Sequence, residues 1–308
     1  MIDRRTLLIA TGAALLLPST RRAAAANSIV PLWPQDAPGG GGPKGAVAIS
    51  GKGAISNIAV PSIEVFRPAK PNGAAMLVAA GGGYKRIEMA SEAQPAALWL
   101  NERGITAFVL SYRLPSEGWR EGAKAPLQDA QRALRLIRAK SAEYSIKPER
   151  IGVLGFSAGG HLLGLAAARS AYRSYGRVDE ADKQSARPSG AALIYPIITL
   201  EPPYDHTSTK RVLLGRHPTD VESAEWSVQP HVRAHCPSMF LVQAEDDPIS
   251  DPHNTLIMEA ACKSAGVPVE MHRLASGGHG FGMGKPGTPT AGWPAWYEAW
   301  LRKGGFMA

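Results

Sequence analysis

The chain has 308 residues, of which 44% are hydrophobic and 19% are charged. This length suffices for one large domain with a full core, and the composition excludes a disordered or a membrane-spanning class. The net charge is +8, but the basic residues are scattered and form no tract, so we expect no nucleic-acid partner.

The first part of the chain, 1–26, has the pattern of an export signal. Arg4 and Arg5 stand in a short charged start, 7–17 is apolar, and 23–26 offers small residues for cleavage. Paired arginines just before the apolar run fit a twin-arginine signal, which predicts a periplasmic or secreted protein. An uncleaved anchor is the alternative, but the run is short for a bilayer span, so we expect no stable membrane insertion after cleavage.

The rest of the chain divides into a leader, 27–57, which is rich in Pro and Gly, and a domain, 58–308, which alternates strand and helix patterns. Predicted strands are 58–66 (an edge strand), 74–80, 105–112, 151–155, 191–195, 239–244 and 267–274, and predicted helices are 94–103, 128–144, 158–169, 253–265 and 293–302. This alternation implies an α/β fold with a mostly parallel central sheet and helices on both faces. Two irregular polar segments interrupt it, 171–190 and 199–235, and the second is a candidate lid.

Cys236 and Cys262 are the two cysteines of the chain. An exported protein can join them in a disulfide, and two buried thiols are the equal alternative, because the sequence gives no distance between them. Neither stands in a metal-ligand spacing such as C-x-x-C, so we predict no metal site.

The sharpest motif is Gly155-Phe156-Ser157-Ala158-Gly159, which matches the nucleophile-elbow pattern G-x-S-x-G. In that turn the serine lies on a strained backbone between a strand and a helix, and only small flanking residues are tolerated. The predicted strand before it and the predicted helix after it fit this context. The turn exposes the serine Oγ and places the Ala158 amide where it can stabilise an oxyanion. A glycine-rich turn with a structural serine is the alternative.

A serine nucleophile needs a base, and the base needs an acid that orients it. His279 is the predicted base, because it alone among the downstream histidines lies in a short glycine-rich loop after the last predicted strand. His272 lies within that strand and is predicted to be structural. His161 lies one turn into the helix after the elbow. We expect it to support the residues of the site without taking part in the reaction, and packing in the core is the alternative.

The acid is expected after the strand 239–244, since the chain order in folds with a nucleophile elbow of this kind is serine, acid, histidine. Glu245, Asp246 and Asp247 all stand there. We choose Asp247, because it begins the turn into the next helix, and keep Asp251 as the fallback.

A second oxyanion donor is expected from the glycine loop after an early strand. Gly82 and Gly83 are the candidates, since glycines let the backbone approach the substrate carbonyl, and Tyr84, which follows them, is expected to support the site with His161. A phosphate-binding loop is excluded because no Lys-Ser/Thr follows at the required spacing.

Taken in order, these motifs resemble the acetyl-xylan-esterase-like (BD-FAE/acetyl esterase-like) branch of the α/β hydrolases, which includes bacterial feruloyl and acetyl esterases acting on plant polysaccharides. The resembling segments are 80–84, 108–114, Asp129 with 133–135, 155–162, 246–247 and 277–281. The resemblance covers residues 60–303.

This resemblance implies an α/β-hydrolase fold with Ser157 as nucleophile, Asp247 as acid and His279 as base. It also implies oxyanion amides from Ala158 and from the Gly82–Gly83 region. Two departures are Ala80, where the family often has Pro, and Ser250-Asp251, where it often has an aliphatic residue and Pro.

The residues and the resemblance together predict an exported serine carboxylic-ester hydrolase that removes acetyl or other small acyl groups from a carbohydrate, such as the plant polysaccharide xylan. It would work through an acyl-enzyme and without a cofactor. The alternatives are a general small-molecule esterase and a dipeptidyl-type peptidase on the same triad. We expect no propeller domain, which disfavours the peptidase, and a protein used only for binding would lack a triad member. Trp226, Trp293 and Trp296 are candidate sugar-stacking side chains, with core packing as the favoured alternative.

Overall fold

The computed structural model describes residues 27–307. Its strands are β1 (Ser28–Pro31), β2 (Ala48–Ile49), β3 (Ile55–Ser56), β4 (Ser62–Phe66), β5 (Ala75–Ala79), β6 (Thr106–Ser111), β7 (Ile151–Phe156), β8 (Gly190–Ile194), β9 (Ser238–Ala244) and β10 (Val269–Leu274). Its α-helices are α1 (Gln94–Glu102), α2 (Lys124–Ala139), α3 (Ala158–Ala168), α4 (Ser208–Leu214), α5 (Asp220–Trp226), α6 (His253–Ser264) and α7 (Trp293–Lys303). Each strand and helix predicted from the sequence has its counterpart here.

The central sheet has the strand order β1-β4-β6-β5-β7-β8-β9-β10. The six strands from β6 to β10 in that order are parallel, while β4 is antiparallel to both of its neighbours. Strands β5, β7 and β8 are buried along their whole length, as a parallel sheet with both faces covered requires. The predicted α/β architecture, a mostly parallel sheet surrounded by helices, is confirmed.

The parallel register brings the functional loops to one edge of the sheet. The glycine loop follows β5, the elbow follows β7, the acid loop follows β9 and the histidine loop follows β10. Since these strands run in the same direction and β7 lies between β5 and β8, the four loops leave the sheet at the same end.

The predicted leader, 27–57, contributes a strand to the sheet. Ser28–Pro31 pairs antiparallel with β4, so the strand predicted as an edge is internal and β1 is the edge. Trp33 continues the attachment, since its indole N–H donates to Asp129 at 2.9 Å. Asp129 in turn forms an ion pair with Arg113 in which both side chains are fully buried, and this pair joins the leader to the core.

Several other sequence-based expectations concern what the fold lacks or what precedes it. The predicted export signal, 1–26, lies outside the described residues. Within 27–307, no helix is long and apolar enough to cross a bilayer, and no group of three or more His, Cys, Asp or Glu side chains is arranged to hold a metal ion.

Cys236 and Cys262 are buried free thiols, and burial raises the pKa of Cys262 to about 12. The thiol alternative, not the disulfide, describes this structure.

Candidate active site

Ser157 lies at a sharp turn between β7 and α3. Its backbone has φ +51° and ψ −119°, a conformation that a non-glycine residue adopts only where the surrounding structure enforces it. The flanking glycines are required by space. A Cβ on Gly155 would lie 2.5 Å from the carbonyl oxygen of Gly159, and a Cβ on Gly159 would collide with the carbonyl of Ala79 in β5. These two glycines therefore allow α3 to begin in direct contact with two strands, β7 and β5.

The three predicted triad side chains are brought together at this turn. The Ser157 Oγ lies 2.8 Å from the His279 Nε2, and the His279 Nδ1 lies 2.8 Å from the Asp247 Oδ2. The Asp247 carboxylate is fully buried, and the His279 side chain is 17% exposed. Because a carboxylate only accepts, Nδ1 carries the imidazole proton, and Nε2 is left to accept from the serine hydroxyl.

The turn after β9 selects Asp247 among the neighbouring acids. Its Oδ1 accepts from the amides of Ile249 and Ser250, at 2.8 and 2.9 Å, and its Oδ2 also accepts from the Gln243 side chain at 3.0 Å. These contacts aim the second oxygen at His279 and fix the carboxylate before any substrate arrives.

The other three candidate acids have structural partners. Asp246 accepts from the amides of Gly277 and Gly278, both at 2.8 Å, and so holds the histidine loop in place. Those amides hold the pKa of Asp246 below its usual range. Glu245 pairs with Arg273, and Asp251 bonds the backbone and ring of His253. The fallback Asp251 therefore faces away from His279.

The glycine loop offers backbone donors beside the serine. Among the described residues, the amides of Gly82 and Gly83 have no acceptor, and the Ala158 amide, at the first position of α3, has no intrahelical one. All three are free to donate to an oxyanion. The Gly81 amide is not, because it already donates to Glu92 at 2.5 Å. A Cβ on Gly81 would lie 2.7 Å from the Ser157 Cβ, so the loop approaches the nucleophile as closely as glycine allows.

Tyr84 and His161 meet behind the glycine loop. The His161 Nε2 lies 2.8 Å from the Trp226 carbonyl, which can only accept, so Nε2 carries the proton and Nδ1 accepts from the Tyr84 hydroxyl at 3.0 Å. Burial lowers the pKa of His161 to about 4, so this imidazole is neutral at pH 7. The pair anchors the far end of the loop to α3, and neither ring contacts the Ser157 hydroxyl.

An open cleft of about 570 Å³ lies over these groups. Ser157, His279, Gly82 and Gly83 line it, together with Thr207 and Ser208. The last two lie at the start of α4, within the segment 199–235, which therefore forms one wall of the cleft. The prediction that this segment is irregular was wrong, because it contains the short helices α4 and α5.

The three tryptophans considered for sugar stacking do not line this cleft. Trp293 is fully buried in the core. Trp296 stacks on His272 with ring centroids 4.5 Å apart, and the Trp226 carbonyl holds His161. The packing alternative accounts for all three, and His272 is structural as predicted.

Sequence analysis missed one further group in the cleft, the carboxyl of Glu92. It is 4% exposed and accepts from the Gly81 amide and from the Tyr195 hydroxyl, at 2.5 and 2.9 Å. Burial raises its pKa from 4.5 to about 7. Its only signal in the sequence is its position between the glycine loop and α1.

The family model described as BD-FAE matches residues 63–261. Endo-1,4-beta-xylanase B of Butyrivibrio fibrisolvens is 35% identical over 205 residues, which are 67% of this chain and 32% of that protein. The acetylxylan esterase of Xylanibacter ruminicola is 31% identical over 226 residues, which are 71% of this chain and 43% of that protein. The chain thus spans less than half the length of these curated relatives.

A solved structure covers more of the chain. The acetyl ester-xyloside bifunctional hydrolase from Caldicellulosiruptor lactoaceticus is 34% identical, with a TM-score of 0.78, over 93% of this chain and 100% of that chain. The predicted α/β-hydrolase fold and the predicted resemblance are both confirmed by these similarities.

Proposed function

Because this chain belongs to the BD-FAE family of α/β hydrolases, we propose that it is an exported serine carboxylic-ester hydrolase that removes acetyl or similarly small acyl groups from a carbohydrate such as xylan. The observation that carries the proposal is the His279 imidazole, whose two nitrogens contact the Ser157 hydroxyl and the Asp247 carboxylate, each at 2.8 Å. That arrangement is the one that activates an alcohol for acyl transfer at neutral pH.

In the first half of the reaction, the Ser157 Oγ attacks the ester carbonyl carbon while His279 Nε2 takes the hydroxyl proton. The imidazolium that forms is stabilised by Asp247, through the proton already on Nδ1. The negative charge that develops on the carbonyl oxygen is stabilised by the Ala158 amide and by the amides of Gly82 and Gly83. Collapse of the tetrahedral intermediate breaks the bond to the sugar oxygen, which receives the proton from His279.

In the second half, water attacks the acyl-serine. His279 Nε2 accepts the water proton, the same amides stabilise the second tetrahedral intermediate, and Ser157 leaves with the proton that His279 returns. The products are the free acid and the deacylated carbohydrate, and the residues named here supply every proton transfer in both halves. A cofactor has no step to perform in this scheme.

The choice of acyl group and alcohol is supported by the relatives. Two of the proteins described above carry the names acetylxylan esterase and acetyl ester-xyloside bifunctional hydrolase. Both names include an acetyl ester, and the first places it on xylan. The open cleft of about 570 Å³ has room for sugar units beside the scissile ester. A periplasmic or extracellular location, which the sequence of 1–26 favours, would give the enzyme access to such polymers.

The test combines labelling with a substrate series. An organophosphonate should label the wild-type protein at Ser157 and should not label the Ser157→Ala variant. Acetate release from acetylated xylan and hydrolysis of p-nitrophenyl acetate should both be lost in that variant. Absence of labelling at Ser157 in the wild type would contradict the enzyme assignment.

The length of the acyl chain separates the leading proposal from a general esterase. We expect hydrolysis rates on p-nitrophenyl esters to fall as the acyl chain lengthens beyond acetyl. Equal rates on long acyl chains, without acetate release from xylan, would instead assign a general small-molecule esterase.

A further inference from the structure

Glu92 is a buried carboxyl that none of the steps above uses. It lies in a π-helical turn, Met89–Ala93, between the glycine loop and α1. Its side chain reaches the cleft that Ser157 and His279 line, yet the residue is only 4% exposed. Burying an ionisable group in this way is unfavourable unless its hydrogen bonds are satisfied, so its partners indicate what it does.

The two oxygens of this carboxyl face two different loops of the site. Oε2 accepts from the Gly81 amide at 2.5 Å, and Oε1 accepts from the Tyr195 hydroxyl at 2.9 Å. The Tyr195 oxygen accepts in turn from the Gly282 amide in the histidine loop, at 3.0 Å. The Tyr195 ring packs edge-on against the His279 ring, with centroids 4.9 Å apart.

We propose that Glu92 is a positioning residue of the hydrolase, acting as a carboxylate that joins the oxyanion loop to the histidine loop through Tyr195. The inference rests on the proposed function. By engaging the Gly81 amide, Glu92 directs the adjacent Gly82 and Gly83 amides toward the substrate. By engaging Tyr195, it fixes the surface against which His279 packs.

The role requires the ionised form. Both groups that contact the carboxyl, an amide N–H and a phenol O–H, are donors, and the phenol oxygen already accepts from Gly282. A proton on either oxygen turns that oxygen into a donor that faces another donor, so the carboxyl can no longer accept from both groups at once. Protonation should therefore release one loop.

Burial places the ionisation of Glu92 near neutral pH. The titratable groups that face Glu92 are Tyr195 and Tyr112 from the sheet, His279 from its loop, and Glu88 from the start of its own turn. Burial is the dominant influence on the Glu92 carboxyl and raises its pKa to about 7, although its hydrogen bonds and the attraction of His279 act in the opposite direction. Since the proposed role needs the ionised carboxyl, activity should fall as the pH drops through this pKa and Glu92 takes up a proton.

The experiment compares the wild type with Glu92→Gln, Tyr195→Phe and the double variant. Glu102→Gln is the matched control, because it makes the same chemical change at an exposed carboxyl (side chain 74% exposed) in α1. Active sites are first counted by organophosphonate titration, so that unfolded protein does not enter kcat. The kinetic constants for p-nitrophenyl acetate are then measured against pH.

We expect kcat of Glu92→Gln to fall about 10- to 100-fold, below the loss caused by deleting an oxyanion donor, with KM nearly unchanged. The acid limb of log(kcat/KM) against pH should be less steep in Glu92→Gln than in the wild type, with a slope lower by about one, because the Glu92 ionisation is absent from the variant. Since Tyr195 acts through the same carboxyl, the double variant should lose little more than Glu92→Gln alone.

Three results would overturn the inference: an unchanged or higher kcat in Glu92→Gln, an acid limb of the same slope in both proteins, or fully additive losses in the double variant. These outcomes are distinct from failure of the proposed function. In that case the wild type itself would neither label at Ser157 nor hydrolyse p-nitrophenyl acetate.

Discussion

Replacing Glu92 by glutamine should remove a pH dependence of folding stability. Burial raises the pKa of Glu92 from 4.5 to about 7 in the folded protein. Between these values the unfolded chain has released the proton while the folded protein still holds it. The folded state therefore binds more protons, and the free energy of unfolding falls as the pH rises through this window. Below it and above it the contribution of Glu92 is constant.

The size of the effect follows from the two pKa values. Their separation corresponds to about 3 kcal/mol in total, of which about 2 to 3 kcal/mol lies between pH 5 and pH 8. Glu92 is only 4% exposed, so solvent screening should reduce this little.

The assay is urea denaturation of the wild type, Glu92→Gln and Glu102→Gln at several pH values in that range. Relative to Glu92→Gln, the wild type should lose about 2 to 3 kcal/mol of unfolding free energy on going from pH 5 to pH 8. Glu102→Gln should parallel the wild type. If the free energies of unfolding of the wild type and of Glu92→Gln change with pH in the same way, the Glu92 carboxyl is not a desolvated group that ionises near neutral pH. That result would refute the reasoning.

Three other predictions address the site, the core and export. Asp247→Asn should lower kcat on the order of 10⁴-fold, because an amide at this position favours the wrong imidazole tautomer; a loss below tenfold at unchanged thermal stability would argue against its role. Asp129→Asn should lower the free energy of unfolding by about 3–5 kcal/mol, because it leaves the fully buried Arg113 without its counter-charge. Urea denaturation measures this, and a change under about 1 kcal/mol would contradict a stabilising role for the ion pair. Changing Arg4 and Arg5 to lysine should retain the protein in the cytoplasm, as judged by cell fractionation with the unchanged chain as control; continued export would exclude a twin-arginine signal.

The proposed nucleophile, Ser157, could be located from the sequence because its motif spans five consecutive residues. A Cβ on Gly155 would meet the carbonyl of Gly159 across the strand–helix turn, whereas a Cβ on Gly159 would meet the carbonyls of Ala79 and Ala80 at the end of β5. The first contact lies within the motif itself, and the second comes from a strand that is distant in the chain. The parallel sheet was predictable for a similar reason, as each buried strand is a short apolar run bounded by polar or glycine residues.

Sequence analysis placed the proposed acid in one loop, but its choice of Asp247 within that loop rested only on the start of a turn. Glu245, Asp246 and Asp247 are adjacent, and each carries the chemistry required. What separates them is the turn after β9, which points Asp246 at the amides of the histidine loop and Asp247 at His279. That direction depends on backbone torsions and on the side chain of Gln243, neither of which leaves a pattern in the local sequence.

Two features depend on the tertiary structure alone, because no local sequence pattern indicates them. Ser28–Pro31 reads as part of a glycine- and proline-rich leader, and it becomes the edge strand only because β4 offers it a free row of backbone groups. Glu92 reads as an ordinary polar residue before a helix, and it becomes a buried carboxylate because Gly81 and Tyr195, far apart in the chain, converge on it. Local patterns indicated where Ser157 and His279 stand, since each lies in a short glycine-rich segment after a predicted strand. The partners that hold them came from distant strands, whose side chains meet only when the sheet assembles.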